Sequence, residues 1–181
     1  DGPVIVSGAT GGVGSVAVAL LAQQGFDVHA SSGKPDKAGY LRGLGAAEVV
    51  DRQTLSEPNK RPMVAPLWAH GVDTVGGEIL SNVIKSLSYG GSVAICGLVA
   101  SANFNTTVLP FIIRGVNVLG IDSVELSIDE KTRVWSLLAT DWRLDNLEEM
   151  VTETDLSGLS DVIETIFGGG VTGRTIVVHE G

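Results

Sequence analysis

One cysteine in 181 residues, Cys96, excludes an internal disulfide and a multi-thiolate zinc site. That scarcity fits a reducing, cytoplasmic setting. Cations are short too: 12 Lys and Arg stand against 21 Asp and Glu, a formal net charge of −9. Nucleic-acid and anionic-membrane partners need a basic stripe, so neither is expected. An anionic cofactor is still allowed, because backbone dipoles and a few local cations can hold one. No apolar stretch approaches the ~18 residues of a membrane span, and nothing at the start reads as a secretory leader. Repeats with a period of roughly 20–50 residues are missing, which excludes a solenoid. Aromatics supply only 5% of the chain, whereas glycines number 24, a balance that suits a tightly turned α/β protein better than a β-sandwich. The chain opens on Asp1 with no initiator Met, one step before its first strand, and we read it as a fragment or as a domain of a longer protein.

What the sequence does hold is concentrated near its start. Val4-Ile5-Val6-Ser7-Gly8-Ala9-Thr10-Gly11-Gly12-Val13-Gly14 runs an apolar strand into a glycine cluster, and an apolar helix leaves it. Such a turn brings bare N–H groups and a helix N-terminus up to a phosphate. A side chain at Gly11 would obstruct a pyrophosphate, and one at Gly14 would push the helix off its strand.

Strands and helices are expected to alternate from there. Strands are read at 3–7, 26–31, 47–50, 72–75, 92–96 and 116–121. The first helix should bury Val13, Val16, Ala17, Leu20 and Leu21 and stop at Gly25. A second, started near Pro35, should bury Ala38, Leu41 and Leu44. Between them and the fourth strand, 51–71 is expected as a polar loop with three prolines and at most one helical turn. Ile79, Leu80, Val83, Ile84 and Leu87 keep helical spacing in the next helix. The alternation predicts an α/β fold, a doubly wound parallel six-stranded sheet of the Rossmann type. Three helical runs, near 131–138, 144–150 and 159–167, and a closing strand at 175–178 are expected after Glu125.

The loop fits two patterns. Ala9-Thr10-Gly11-Gly12-Val13-Gly14 is the dinucleotide fingerprint with alanine for its first glycine, while Gly8, Gly12 and Gly14 also match the short-chain dehydrogenase spacing. The short-chain pattern needs a Tyr with a Lys four residues on, but Tyr40 and Tyr89 are followed there by Leu44 and Val93. At the end of the second strand, NAD binders place a carboxylate for the ribose hydroxyl. Here the stretch is Ser31-Ser32-Gly33-Lys34, two hydroxyls and an ammonium that suit a 2′-phosphate, and Arg42 could add a second cation. NADP(H) is therefore the expected cofactor.

With these residues the chain resembles the zinc-independent medium-chain reductases, in their quinone oxidoreductase branch, and within it the acrylyl-CoA reductase group. The likeness rests on the loop together with Tyr40-Leu41-Arg42-Gly43-Leu44-Gly45-Ala46, Asp73-Thr74-Val75-Gly76-Gly77 and Tyr89-Gly90-Gly91-Ser92-Val93-Ala94-Ile95-Cys96-Gly97-Leu98. The more specific stretches are Thr106-Thr107-Val108-Leu109-Pro110-Phe111-Ile112-Ile113-Arg114-Gly115-Val116 and Leu119-Gly120-Ile121-Asp122-Ser123.

The resemblance implies a two-lobed enzyme, with 1–124 as the dinucleotide-binding domain. Residues 125–181 would be a helical tail and strand that return to an N-terminal catalytic lobe lying outside this chain. It implies hydride transfer from NADPH to the β-carbon of an α,β-unsaturated acyl-CoA, or to a quinone, with no metal. The catalytic residues would sit mainly on the other lobe. Carried over by position, Thr10, Gly11, Gly12, Val13 and Gly14 cradle the pyrophosphate. Ser31, Ser32, Gly33, Lys34 and Arg42 take the 2′-phosphate. Thr74, Val75, Cys96, Gly97 and Leu98 line the ribose and nicotinamide, and Ile121, Asp122 and Ser123 approach the amide. Relatives often carry Arg at Lys34, a better bidentate partner. A homodimer through the sixth strand is implied as well. The alternatives are a non-catalytic NADP(H) sensor or a structural module.

Weaker signals read more plainly. Cys96 is expected as a small buried hydrophobe, and Trp135 and Trp142 as core packing of the last helices. His29, His70 and His179 have no metal spacing. Phe111, Ile112 and Ile113 fit either a pocket wall or a dimer face.

Overall fold

The computed structural model describes residues 2–179. Six parallel strands form one sheet in the order β3-β2-β1-β4-β5-β6: β1 Val4–Val6, β2 Val28–Ser32, β3 Glu48–Asp51, β4 Trp68–Asp73, β5 Leu87–Ile95 and β6 Asn117–Gly120. The helices are α1 Gly12–Gln23, α2 Ala38–Gly43, α3 Arg52–Ser56, α4 Gly77–Lys85, α5 Leu109–Arg114, α6 Ile128–Ala139 and α7 Leu159–Phe167. Beyond the sheet, β7 Val151–Thr154 and β8 Arg174–Val177 pair in parallel across α7. The predicted doubly wound architecture is the observed one.

Helices cover both faces of the sheet, so central strands must be apolar on both sides. Val4, Ile5 and Val6 are each buried for that reason. One core lies under α1 and α2, around Val6, Val18, Val28 and Leu41. The other lies under α4, around Ile5, Ile84, Leu87 and Val93. Each fully buried aliphatic side chain contributes roughly 1.5–3 kcal/mol.

The proline-bearing loop, 57–67, is strapped to the end of α4. Asn82 Nδ2 donates to the Leu55 and Glu57 carbonyls at 2.7 and 2.8 Å, and Lys85 Nζ donates to Asn59 O at 2.7 Å. The Arg114 guanidinium donates to Lys85 O, Leu87 O and Val64 O at 3.1, 3.0 and 2.6 Å. A cation over the free carbonyls of a helix C-terminus is favourable on dipole grounds as well.

Several expectations need correction. α1 fully buries Gly14, Ser15, Val18 and Ala19; Val16, Ala17, Leu20 and Leu21 pack partly buried against the same core, while Val13, at 52% exposed, lies off it. The helix is apolar nearly all round, so hydrophobic spacing could not set its phase; the glycine that must touch β1 does. β4 starts at Trp68 and ends at Asp73, leaving Val75 in a turn, and β5 starts at Leu87, ahead of a register shift against β4. Phe111, Ile112 and Ile113 lie on helix α5, and β7 is a strand that the sequence pattern does not indicate. The run at 144–150 forms only a 3₁₀ turn at Leu147–Met150. Trp135 is 70% exposed rather than core, because α6 buries no residue at all. The buried tryptophan is Trp68, whose indole N–H donates to His29 Nδ1 at 3.2 Å. No helix among the described residues is long and apolar enough to cross a membrane.

Candidate functional site

From β1 the chain winds toward β2 and β3; from β4 it winds the other way, toward β5 and β6. The loops leaving β1 and β4 therefore part, and a crevice opens at the carboxyl ends of the sheet.

The glycine loop forms one wall. Gly8 has φ +62°, a conformation open to glycine, and a Cβ there would lie 2.3 Å from Thr74 Oγ1. At Gly14 a Cβ would come within 2.2 Å of Gly8 O, so α1 can sit this close to β1 only without a side chain. Gly11 caps α1 with no side-chain acceptor, and the first turn carries no acid. The positive end of this 12-residue helix thus faces the crevice with its amides free of side-chain caps.

The end of β2 forms a second wall. Ser31 and Ser32 are buried; Thr10 Oγ1 lies 3.3 Å from Ser32 Oγ, which accepts Lys34 N–H at 3.1 Å. Lys34 Nζ donates to Val171 O. Burial, then the nearby Lys37 ammonium, hold the Lys34 pKa below the ordinary lysine range, and Arg52 adds to the repulsion. Ser31 Oγ is buried and has no hydrogen-bond partner among the described residues.

The far side is built by β4, β5 and β6. Thr74 Oγ1 donates to Ser7 O at 2.9 Å, and Gly97 lies against the Thr74 carbonyl. Ile121 N donates to Ile95 O at 3.0 Å. Asp122 Oδ1 accepts the Val124 and Glu125 amides in a tight turn, with Ser123 exposed inside it. Leu98 is exposed. Cys96 is exposed rather than buried, since β5 ends one residue before it. Partial burial and the Asp73 charge still push its thiol pKa up.

Two cations at the crevice were missed in the sequence. The Arg52 guanidinium lies over Gly33: a Cβ there would stand 2.6 Å from Arg52 Cζ. Strand pairing held the clue, because Ser32 is opposite Asp51, which places the next residue beside Gly33. Arg174 likewise lies over Gly12, 2.9 Å from Nη2 to a Cβ built there, and Gly173 N donates to Thr10 O at 2.8 Å. No local pattern links residues so far apart in sequence. Arg42, by contrast, is exposed in the last turn of α2, and its side chain makes no hydrogen bond or ion pair among the described residues.

A recess of about 530 Å³ adjoins the loop between α1 and the β7–β8 ribbon, lined by Gly12, Ser15, Glu153 and Arg174 among others. A larger cleft, about 740 Å³, lies away from it, beneath α3 and Trp68. It borders neither the glycine loop nor Lys34, so size alone does not mark the site. No group of three His, Cys, Asp or Glu side chains among the described residues could hold a metal ion.

Known proteins share this arrangement. Residues 12–140 match the family described as zinc-binding dehydrogenase. Over 176 residues the chain is 46% identical to acrylyl-CoA reductase AcuI of Ruegeria pomeroyi, covering 97% of this chain and 53% of that protein. The crystal structure of the yhdH oxidoreductase from Salmonella enterica, in complex with NADP, superimposes with a TM-score of 0.94 at 40% identity, over 99% of this chain and 55% of that one. The Bacillus subtilis protein yhfP, with NAD bound, gives 0.92 at 40% identity, over 98% and 54%. The chain spans about half the length of the relatives it matches. The chain belongs to the zinc-binding dehydrogenase family, the medium-chain dehydrogenases and reductases, and its fold is their cofactor-binding half.

Proposed function

We propose that this chain is the NADP(H)-binding part of a reductase that delivers hydride to the C=C bond of an α,β-unsaturated acyl-CoA, or to a quinone. The observation that carries the reading is the cation cluster at the end of β2. Arg52 lies over Gly33, Lys37 and Arg52 each disfavour the charge on Lys34 while Asp36, paired with Lys37 at 3.5 Å, favours it, and Ser32 lies beneath. A 2′-phosphate would relieve that repulsion, and Lys and Arg are its usual donors. The acrylyl-CoA reductase and NADP-bound relatives support the reading; the NAD seen in one relative sets up the alternative to be tested.

On this reading Gly11 to Gly14 hold the pyrophosphate against the α1 N-terminus, with Arg174 as a further cation over Gly12. Lys34, Arg52 and the Ser32 hydroxyl hold the 2′-phosphate, and Arg42 becomes a minor contributor. The turns at Thr74–Val75, Cys96–Leu98 and Ile121–Ser123 orient the nicotinamide end. When bound, the reduced nicotinamide supplies a hydride for the substrate's β-carbon. The residues of this chain bind and aim it and keep water from the adenosine side. We place the boundary between the nucleotide domain and the tail near residue 124, the setting in the cytoplasm, the reaction without zinc, and the dimer contact at β6.

Fluorescence titration decides the cofactor. NADPH should bind at least about tenfold more tightly than NADH, and Lys34→Ala or Arg52→Ala should erase most of that difference, as loss of a charge-assisted contact requires. Equal affinities for the two nucleotides would refute the 2′-phosphate assignment. Acrylyl-CoA and small quinones, assayed with the full-length enzyme, then separate the two substrate classes.

A further inference from the structure

We propose that Asp73 is a positioning residue that sets the glycine loop against the β4–α4 turn, so that one dinucleotide can span both. The inference rests on the cofactor reading above. Asp73 ends β4, is fully buried, and among the described residues pairs with no cation. Both of its oxygens nonetheless accept hydrogen bonds, as burial of a carboxylate demands. Oδ1 accepts the Ser7 hydroxyl at 2.6 Å. Oδ2 accepts the Gly76 amide at 2.7 Å and the Val75 amide at 3.3 Å.

Ser7 is the last residue before the glycine loop, and its hydroxyl passes the link on by accepting Thr74 N–H at 3.1 Å. Thr74 Oγ1 returns a bond to Ser7 O at 2.9 Å. One carboxylate therefore fastens two strands at the point where their loops diverge, each by a different oxygen. A neutral apolar residue at 73 could fill the space but could not hold both sides. The Asp73 side chain is buried below both turns, so it acts through them and touches no ligand.

A role in fold stability alone would weaken every ligand equally. A role in registering the two turns would spare a ligand that uses only the adenosine side. On the cofactor reading NADPH would span the crevice, whereas adenosine 2′,5′-bisphosphate, which lacks the nicotinamide half, would reach only the loop and the end of β2. Titration of the chain with both nucleotides makes the distinction. Ser7→Ala, which leaves the carboxylate and the turn in place, should lower NADPH affinity about tenfold and change bisphosphate affinity less than about twofold, on the scale of one lost bond to a charged group. Asp73→Asn offers one carbonyl oxygen where two are used and should show the same selective loss. Should Asp73→Asn fail to fold, Ser7→Ala still decides. Parallel losses for the two nucleotides, or no loss of NADPH binding, would overturn the inference. Failure of the unaltered chain to bind NADPH would instead remove the cofactor reading beneath it, and shows before any variant is made.

Discussion

Two residues shape the same crevice in opposite ways. Gly14 matters for what it lacks. Alanine there would force its Cβ within 2.2 Å of the Gly8 carbonyl, and backbone cannot yield as a side chain can. Gly14→Ala should cost at least about 2 kcal/mol of stability, read from urea unfolding. Lys34 matters for its charge. Its pKa is lowered in the folded state, so the unfolded chain holds the extra proton between the two values; stability should rise with pH across that window and level off near the ordinary lysine range. A 2′-phosphate favours the charged form, so NADPH binding takes up a proton and should weaken as pH climbs through the alkaline range. NADH affinity should stay flat, and Lys34→Met should abolish the slope. A pH-independent ratio of the two affinities would contradict this.

Among elements, edge strand β6 and helix α5 carry apolar surface that no other described residue covers: Leu119 is 50% exposed, Ile112 73% and Ile113 53%. An open apolar edge recruits a partner. Light scattering at micromolar concentration should report a dimer that Leu119→Lys converts to monomer; a monomeric mass for the unaltered chain would count against the contact. The two tryptophans provide a contrast in packing. Trp68→Ala opens the core beneath α3 and should cost about 3–5 kcal/mol, whereas Trp135→Ala, on the open face of α6, should stay within about 0.5 kcal/mol in the same urea measurement.

At the scale of the molecule, the winding order was legible because it follows from alternation: apolar runs of strand length, separated by helical spacing and glycine stops. The glycine loop was legible because its constraints are local. The phase of α1 was not, since an almost uniformly apolar helix has no stripe to read. The start of β4 was hidden by the prolines before it and by His70 within it. α6 and α7 bury no residue, so their apolar faces say nothing about a core inside this chain. Of the crevice, the elements that line it came from pattern, while Arg52 and Arg174 came only from strand pairing and tertiary contact. Cys96 was misjudged by one residue of strand length.

The tie between Gly173 and Thr10 joins nearly the last described residues to nearly the first. All six strands of the main sheet precede Ile121 in the chain, so a nascent polypeptide can assemble that sheet while the nucleotide cleft still lacks the wall that residues 173 and 174 supply. An anion seated on the glycine loop would therefore meet the Arg174 guanidinium only after the rest of its crevice had formed.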